Sequence, residues 1–171
     1  GAFEKWYISC DYGTVNPTSM GLWGRSGGVW YRVKEFYHSG RETGQQRTDQ
    51  QYYDELVKLC GDLPVWRVIV DPSAASFITL VEQKRQFKIW DADNAVLEGI
   101  QHTASALNDG KIKVNDCCKR TIQEFGLYSW DDKATEDKPL KQNDHAMDAL
   151  RYFVQTVGVW REKKQFRLLT G

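Results

Sequence analysis

The first part of the chain alternates apolar and polar side chains as a β-strand does. The alternation runs over residues 5–11, where the apolar face is formed by Trp6, Ile8 and Cys10. Residues 18–24 and 29–37 have the same strand character, and the segment Ser26-Gly27-Gly28 between them is typical of a hairpin turn. These patterns predict a three-stranded antiparallel meander.

Helix-type and strand-type patterns alternate in the rest of the chain. Apolar residues recur every three or four positions, as in amphipathic helices, over residues 48–60, 73–85, 96–107, 119–128 and 143–157. Short apolar runs predict strands at residues 65–70, 87–90 and 111–114. The compact run at 65–70 is typical of a strand buried on both faces and therefore parallel to a neighbour. Thr48 is suited to cap its helix and Gly61 to end it.

Three successive strands followed by alternating helices and strands predict an α/β fold. We expect a mixed sheet, with the antiparallel meander at one side, parallel strands beside it, and helices on both faces. This is the outline of the ribonuclease H-like fold. With 171 residues and no linker-like segment, we expect a single domain over residues 1–171 whose basic C-terminal tail begins at about residue 158.

Composition restricts the possible functions. The chain has 23 basic and 23 acidic residues, so any nucleic-acid surface must be a local patch. No apolar run approaches the roughly 20 residues that a membrane span needs, and we expect no membrane partner. The four cysteines form no CxxC pair, which favours reduced thiols packed in the core of a cytoplasmic protein.

The last predicted helix combines an apolar face with a charged one. Asn143 is suited to cap it. The apolar face is formed by Met147, Leu150, Val154 and Val157. Asp148 points the opposite way, and His145, three residues earlier, is its neighbour on the helix surface. An ordinary solvated face is the simpler interpretation, and a chemical site is the alternative.

Acidic residues stand where two predicted strands end. Asp11 ends the first strand and Asp71 follows the strand at residues 65–70. In open α/β sheets, sites form beyond the carboxyl ends of the strands, and neighbouring strands lie about 4.8 Å apart. The last helix can bring Asp148 to the same place. Three carboxylates would repel one another unless divalent cations bound them, and hard oxygen ligands suit Mg²⁺ or Mn²⁺. Two ions about 3.5–4 Å apart would clamp a phosphodiester.

Simpler roles are open for Asp11 and Asp71, and two further residues are candidates for the site. Asp11 can be a turn residue, and Asp71 can cap the helix that follows it. His145 can be an additional metal ligand or a proton shuttle. Asp144 is a second-tier metal candidate, because an aspartate at that position more often interacts with the helix dipole.

Three segments carry a resemblance to a known family: residues 8–13 (ISCDYG), 68–77 (VIVDPSAASF) and 138–152 (KPLKQNDHAMDALRY). They resemble the nuclease domain of tailed-bacteriophage terminase large subunits, and the similarity extends over about residues 5–157. The resemblance implies a metal-dependent endonuclease that cuts concatemeric double-stranded viral DNA during genome packaging. It also implies that Asp11, Asp71 and Asp148 form an acidic triad that binds two divalent ions, with His145 beside it.

The resemblance implies partners as well. Complete terminase large subunits carry an N-terminal packaging ATPase, but no GxxxxGK[ST] motif occurs here, so we expect an excised C-terminal domain. The expected partners of the full subunit are DNA, the portal and the small terminase subunit. The expected location is the cytoplasm of the infected bacterial host, transiently at the procapsid portal.

Two features suggest where DNA would bind. The side chains of residues 72–76 are small and lie beside the predicted site, so Ser73 is a candidate contact with the phosphate backbone. In this family a mobile hairpin near the site corresponds to residues 130–141, whose Lys138 and Lys141 are the main candidates for phosphate contacts. Weaker candidates are Arg41, Arg47, Lys111 and Lys113.

Other functions remain open at this level. Residues 11–14 (DYGT) resemble the first phosphate motif of actin-like ATPases, but that fold needs a second glycine-rich loop that is absent from this sequence. A cellular ribonuclease H-like nuclease or resolvase is an alternative. So is a non-catalytic domain that docks on a portal, which would not cut DNA.

Overall fold

The computed structural model describes residues 2–127 and 144–162 of the chain. Its strands are β1 (Lys5–Asp11), β2 (Thr18–Ser26), β3 (Val29–His38), β4 (Val65–Val70), β5 (Ile89–Asp91) and β6 (Ile112–Val114). Its helices are α1 (Gly40–Thr43), α2 (Asp49–Cys60), α3 (Ala75–Lys84), α4 (Val96–Asn108), α5 (Lys119–Leu127) and α6 (His145–Val157). A 3₁₀ turn is formed by Val159–Arg161.

The strands form a mixed sheet in the order β5-β4-β1-β2-β3-β6. The meander is confirmed, since β1 pairs with β2 and β2 with β3, both antiparallel. Strand β4 is parallel to β1, β5 to β4, and β6 to β3. The β2–β3 turn is formed by Gly27 and Gly28, whose φ angles of 60° and 77° lie in the left-handed region that glycine adopts without strain.

Helices cover both faces of the sheet, as predicted. The core on one face contains Ile8, Cys10, Tyr52, Leu56, Phe77 and Val81, from β1, α2 and α3. The core on the other face contains Tyr7, Trp23, Ile69, Ala106, Leu150 and Phe153, from the sheet, α4 and α6. The alternation along β1 thus divides its side chains between two cores. All four cysteines are free thiols, and of these only Cys117 is exposed.

The predicted cap of α2 is confirmed. The Thr48 side chain accepts a hydrogen bond from the Gln51 backbone N–H, and the Gln51 side chain accepts one from the Thr48 N–H. Gly61 comes directly after the helix and has a positive φ. Short-range sequence signals are sufficient here because every partner lies within one helical turn.

Several boundaries differ from the sequence predictions. The segment between residues 37 and 48, to which the sequence patterns assigned neither helix nor strand, includes α1, capped by Ser39. Strand β5 begins at Ile89 rather than at residue 87, and Phe87 packs into the core. Only the second half of β4 is fully buried, because β5 pairs with Val68–Val70 alone and leaves Trp66 exposed.

Helix α6 differs most from its predicted amphipathic form. A solvated charged face was the simpler of the two interpretations, but Arg151 and Tyr152 are buried, as is Phe153. Burial extends around the helix because it packs against β1 and β2 and against α4 and α5. The predicted cap, Asn143, lies outside the described residues. Asp144 occupies the cap position, and among the described residues its side chain makes no capping hydrogen bond.

Some predicted features fall outside the described part of the chain. They are Lys138, Lys141, the rest of the segment at residues 130–141 and the basic tail from residue 163 onward. Within residues 2–127 and 144–162, no helix combines the length and the apolar character that crossing a membrane requires.

Leu150→Ala is expected to lower the free energy of unfolding by about 2–5 kcal/mol, because the Leu150 side chain is 0% exposed and its removal leaves a cavity. The matched control is Leu97→Ala in α4, where the side chain is 61% exposed and the loss should stay within about 0.5 kcal/mol. Urea unfolding in the presence of a chelator measures the free energy of unfolding of both variants and of the parent. Equal losses in the two variants would contradict the placement of α6 in the core.

Candidate metal centre

The sheet places two aspartates side by side. Cys10 of β1 is paired with Val70 of β4 in the parallel register, so Asp11 and Asp71, the next residues along each strand, are neighbours at the carboxyl ends of the strands. Cys10 and Val70 point into the core beneath α2 and α3. Because side chains alternate along a strand, both aspartates point to the opposite face, where α6 lies.

Helix α6 brings His145 and Asp148 to the same place. These residues are three apart and therefore lie on one face of the helix. His145 Nδ1 is 2.9 Å from Asp11 Oδ2. One ligand atom from each of Asp11, His145 and Asp148 lies within 4.8 Å of the others. These three side chains, which come from distant parts of the sequence, are thus close enough to bind one ion.

Asp71 stands beside this cluster but outside it, and its role as a ligand of one of two ions stays a prediction. Among the described residues, the group within 4.8 Å contains Asp11, His145 and Asp148 and not Asp71. The Asp71 carboxylate accepts hydrogen bonds from the Ser73 backbone N–H at 2.8 Å, from Asn94 Nδ2 at 3.1 Å and from the Tyr152 hydroxyl at 3.3 Å. Burial acts to raise the pKa of Asp71, but these hydrogen bonds together lower it below its ordinary value.

The pKa values of Asp11 and Asp148 shift in the opposite direction, above the ordinary value of an aspartate. Burial raises the pKa of Asp11, and repulsion from Asp144 adds to this, against the hydrogen bond from His145. Burial raises the pKa of Asp148 to about 6, and repulsion from Asp144 and Asp11 adds to the effect. The hydrogen bond with Asp11 in turn raises the pKa of His145. The arrangement therefore favours binding of positive charge, either a proton or a cation.

Arg151 fixes Asp148 from the side of α4. Its Nη2 donates to Asp148 Oδ1 at 3.3 Å, and its Nη1 donates to the backbone carbonyls of Asn94 and Ala95 at 3.0 and 2.8 Å. Gly99 leaves room for the aliphatic part of the Arg151 side chain, since a Cβ at that position would lie 2.9 Å from Arg151 Cγ. Asn94 therefore connects both acids, through its carbonyl to Arg151 and through its amide to Asp71.

Asp144 contributes charge rather than a ligand atom to the described cluster. Its carboxylate raises the pKa values of Asp11 and Asp148, which places it near them, but it is not among the three groups within 4.8 Å. Its role as a second-tier ligand stays a prediction.

An open cleft of about 350 Å³ is lined by the residues that follow Asp11 and Asp71 in the sequence. It is formed by the β1–β2 loop and the start of α3, and its lining is Tyr12, Gly13, Thr14, Val15, Asn16, Ser73, Ala74, Ala75 and Ser76. The lining residues at positions 73–76 have small side chains, as was expected for this segment. The cleft thus gives close access to the backbone around Asp71.

Two of the weaker basic candidates are engaged elsewhere. Lys111 precedes β6, at the end of the sheet opposite to Asp11, and its Nζ donates to the Trp160 carbonyl. Arg47 forms an ion pair with Glu55 at 3.0 Å.

The sequence patterns did not identify Asn94 and Tyr152 as the side chains that hold the Asp71 carboxylate. Tyr152 lies one helical turn after Asp148, and this spacing was a usable signal. Asn94 acts across the fold, and no local pattern in the sequence marks it.

Comparisons with known proteins agree with this geometry. Neither a protein-family model nor a curated protein matches the chain. Among solved structures, the large terminase of a thermophilic bacteriophage, in complex with ADP, is 54% identical with a TM-score of 0.86. That match covers 92% of this chain and 40% of the longer one, so this chain spans about two fifths of the length of that relative.

More distant matches are separate nuclease domains. The nuclease domain of the P22 large terminase is 19% identical, with a TM-score of 0.70, over 95% of this chain and 90% of its own. The nuclease domain of the large terminase from bacteriophage SPP1, with bound Mn, is 18% identical, with a TM-score of 0.65, over 91% and 88%. These two matches show the fold.

The sheet order and the helices on both faces define a ribonuclease H-like fold, as the sequence predicted, and the chain shares this fold with the nuclease domains of the P22 and SPP1 large terminases. Over 92% of its length the chain is similar to part of a phage large terminase, and in fold it is similar to separate nuclease domains of such terminases.

Asp148→Asn is expected to stabilise the metal-free chain near pH 7. The folded-state pKa of about 6 lies above the ordinary 3.8, so the folded protein binds more protons between these values. The stability that Asp148 contributes is therefore complete below about pH 4 and is lost as the pH rises through 6. At pH 7 the variant should gain up to about 3 kcal/mol, less the cost of a weaker contact with Arg151.

Urea unfolding in chelator at pH 4.5 and pH 7 tests this sign, with the exposed Asp62→Asn as the control. The gain for Asp148→Asn should appear at pH 7 and shrink at pH 4.5, whereas Asp62→Asn should change stability little at either pH. A loss of stability at both pH values would show that Asp148 is a structural residue.

Proposed function

We propose that the chain is a metal-dependent endonuclease domain that cuts concatemeric double-stranded viral DNA during genome packaging. The observation that carries the proposal is the cluster of Asp11, His145 and Asp148 at the carboxyl ends of the strands, with Asp71 beside it. Two comparisons support it: the identity of 54% to the large terminase of the thermophilic phage and the Mn bound to the SPP1 nuclease domain.

The donor set fits a divalent cation. Carboxylate oxygens with one imidazole nitrogen suit Mg²⁺ or Mn²⁺, and the raised pKa values of Asp11 and Asp148 reflect unbalanced negative charge in a buried place. Asp11, Asp148 and His145 would hold one ion, and Asp71 with Asp11 would hold a second. Bound divalent ions supply Lewis-acid stabilisation of the charge that develops on a phosphodiester during hydrolysis.

The side chains around the cluster orient it. Arg151 keeps Asp148 turned toward Asp11, and Tyr152 and Asn94 fix the direction of the Asp71 carboxylate. The alternative role for His145, instead of binding the ion, is proton transfer: it shares a proton with Asp11 through Nδ1, and it could pass a proton to or from the reacting phosphate oxygen.

DNA would approach through the open cleft. Its small side chains allow a phosphate backbone to come close to Asp71, and Ser73 is the proposed contact there. Lys138 and Lys141 stay candidates for further phosphate contacts.

The proposal includes the larger protein to which this domain would belong. Residues 1–171 would form a single nuclease domain of a terminase large subunit whose N-terminal part is a packaging ATPase, which the ADP complex of the longer relative supports. Within that subunit the domain would work with the portal and the small terminase subunit, in the host cytoplasm and at the procapsid portal.

The chain is expected to nick or cut plasmid DNA in Mn²⁺ or Mg²⁺, and excess chelator should abolish cleavage. Asp11→Asn, Asp71→Asn and Asp148→Asn should each abolish it too, because each removes a negatively charged oxygen ligand. The control Asp62→Asn, at an exposed aspartate outside the cluster, should cut like the parent. Agarose gels of supercoiled plasmid read out all four variants.

Robust cleavage in excess chelator would overturn the metal-dependent mechanism. Cleavage by folded Asp148→Asn at the parent's rate would remove Asp148 from the site.

A further inference from the structure

The first turn of α6 is capped by a side chain from another helix. The backbone N–H groups of Ala146 and Met147 donate to Glu124 Oε1 of α5 at 3.0 and 3.1 Å, and that of Ala146 also lies 3.2 Å from Oε2. These amides have no intrahelical acceptor, and a carboxylate there also interacts favourably with the helix dipole. Glu124 thus does for α6 what its own cap residue, Asp144, does not do among the described residues.

Glu124 is 1% exposed, and such burial of an acid is costly without partners. Burial raises the pKa of Glu124 to about 7, against the hydrogen bonds from Met147 and Ala146. Arg120, one turn earlier on α5, lies 3.8 Å away and supplies a counter-charge. In either protonation state a carboxyl oxygen can accept from the two amides.

The helix that carries Glu124 is anchored in the same way. Glu35 of β3 accepts hydrogen bonds from the backbone N–H groups of Arg120 and Thr121 at 2.8 and 3.3 Å, and from the Thr121 hydroxyl at 2.9 Å. The buried guanidinium of Arg32 lies 3.7 Å from Glu35. Two carboxylates therefore connect the sheet to α5 and α5 to α6.

The capped amides lie between the two cluster residues of α6. Ala146 and Met147 separate His145 from Asp148 in the sequence, so the bonds from Glu124 hold the peptides that carry both cluster residues. His145 must stay within 2.9 Å of Asp11, and the ligand atoms within 4.8 Å of one another, for the three to bind one ion. A frayed first turn would lose both distances.

We propose that Glu124 is a positioning residue for the metal centre, which orders the first turn of α6 and thereby sets the distances from His145 and Asp148 to Asp11. This inference rests on the proposed function in treating the cluster as a metal site. Residues that orient ligands in this way typically change metal affinity roughly 10–100-fold when they are replaced.

The test compares Glu124→Met with Glu124→Gln. Methionine keeps the volume but removes both acceptors, whereas the glutamine carbonyl can replace Oε1, which accepts from both amides. Calorimetric titration of the 171-residue chain with Mn²⁺ should give an affinity roughly 10–100-fold weaker for Glu124→Met and near that of the parent for Glu124→Gln. The exposed neighbour Gln123→Ala controls for general effects on α5.

A second readout needs no metal. Amide hydrogen exchange in chelator should show faster exchange at Ala146, Met147 and Asp148 in Glu124→Met, with protection kept in Glu124→Gln. A parent chain that binds no Mn²⁺ would overturn the proposed function, and the exchange rates would then decide the positioning role alone. The positioning role is overturned if protection and Mn²⁺ affinity are unchanged in Glu124→Met, or if both variants lose thermal stability equally with no change in affinity.

Discussion

The site depends on the parallel pairing of β1 with β4. In this register Asp11 and Asp71 are neighbours, and side-chain alternation turns both toward α6. A slip of one residue in either strand would turn its aspartate into the core beneath α2 and α3. The apolar residues that precede the acids, such as Cys10 and Val70, are fully buried and set this register. The packing that buries Cys10 and Val70 therefore also determines where the two acids of the candidate site lie.

The other half of the site is carried by a helix that is buried on nearly all sides. The packing of α6 against the sheet and against α4 and α5 removes water from Asp148 and raises its pKa to about 6. His145 and Arg151 offset only part of the repulsion between the acids. A metal site assembled in this way trades stability of the metal-free protein for affinity, as functional sites commonly do.

Local patterns predicted the parts of the structure whose causes are local. The structure confirms the strand at Lys5–Asp11 and the helix cap at Thr48. It also confirms that the side chains of His145 and Asp148, three residues apart, are neighbours. Contacts across the fold were not predicted: Glu124 reaches Ala146 across 22 residues, and Asn94 reaches Asp71 across 23. Such partners depend on how helices pack, which no single segment encodes. The burial of Arg151 and Tyr152 was missed for a related reason, since long polar side chains can bury their stems while their polar ends find partners.

The decisive measurement for the metal centre is anomalous diffraction from crystals of the chain soaked in Mn²⁺. We expect a manganese peak in contact with the carboxylates of Asp11 and Asp148, with His145 turned toward it. Ordered density for these side chains with no anomalous peak between them, at Mn²⁺ concentrations that support DNA cleavage, would contradict a metal centre at this position.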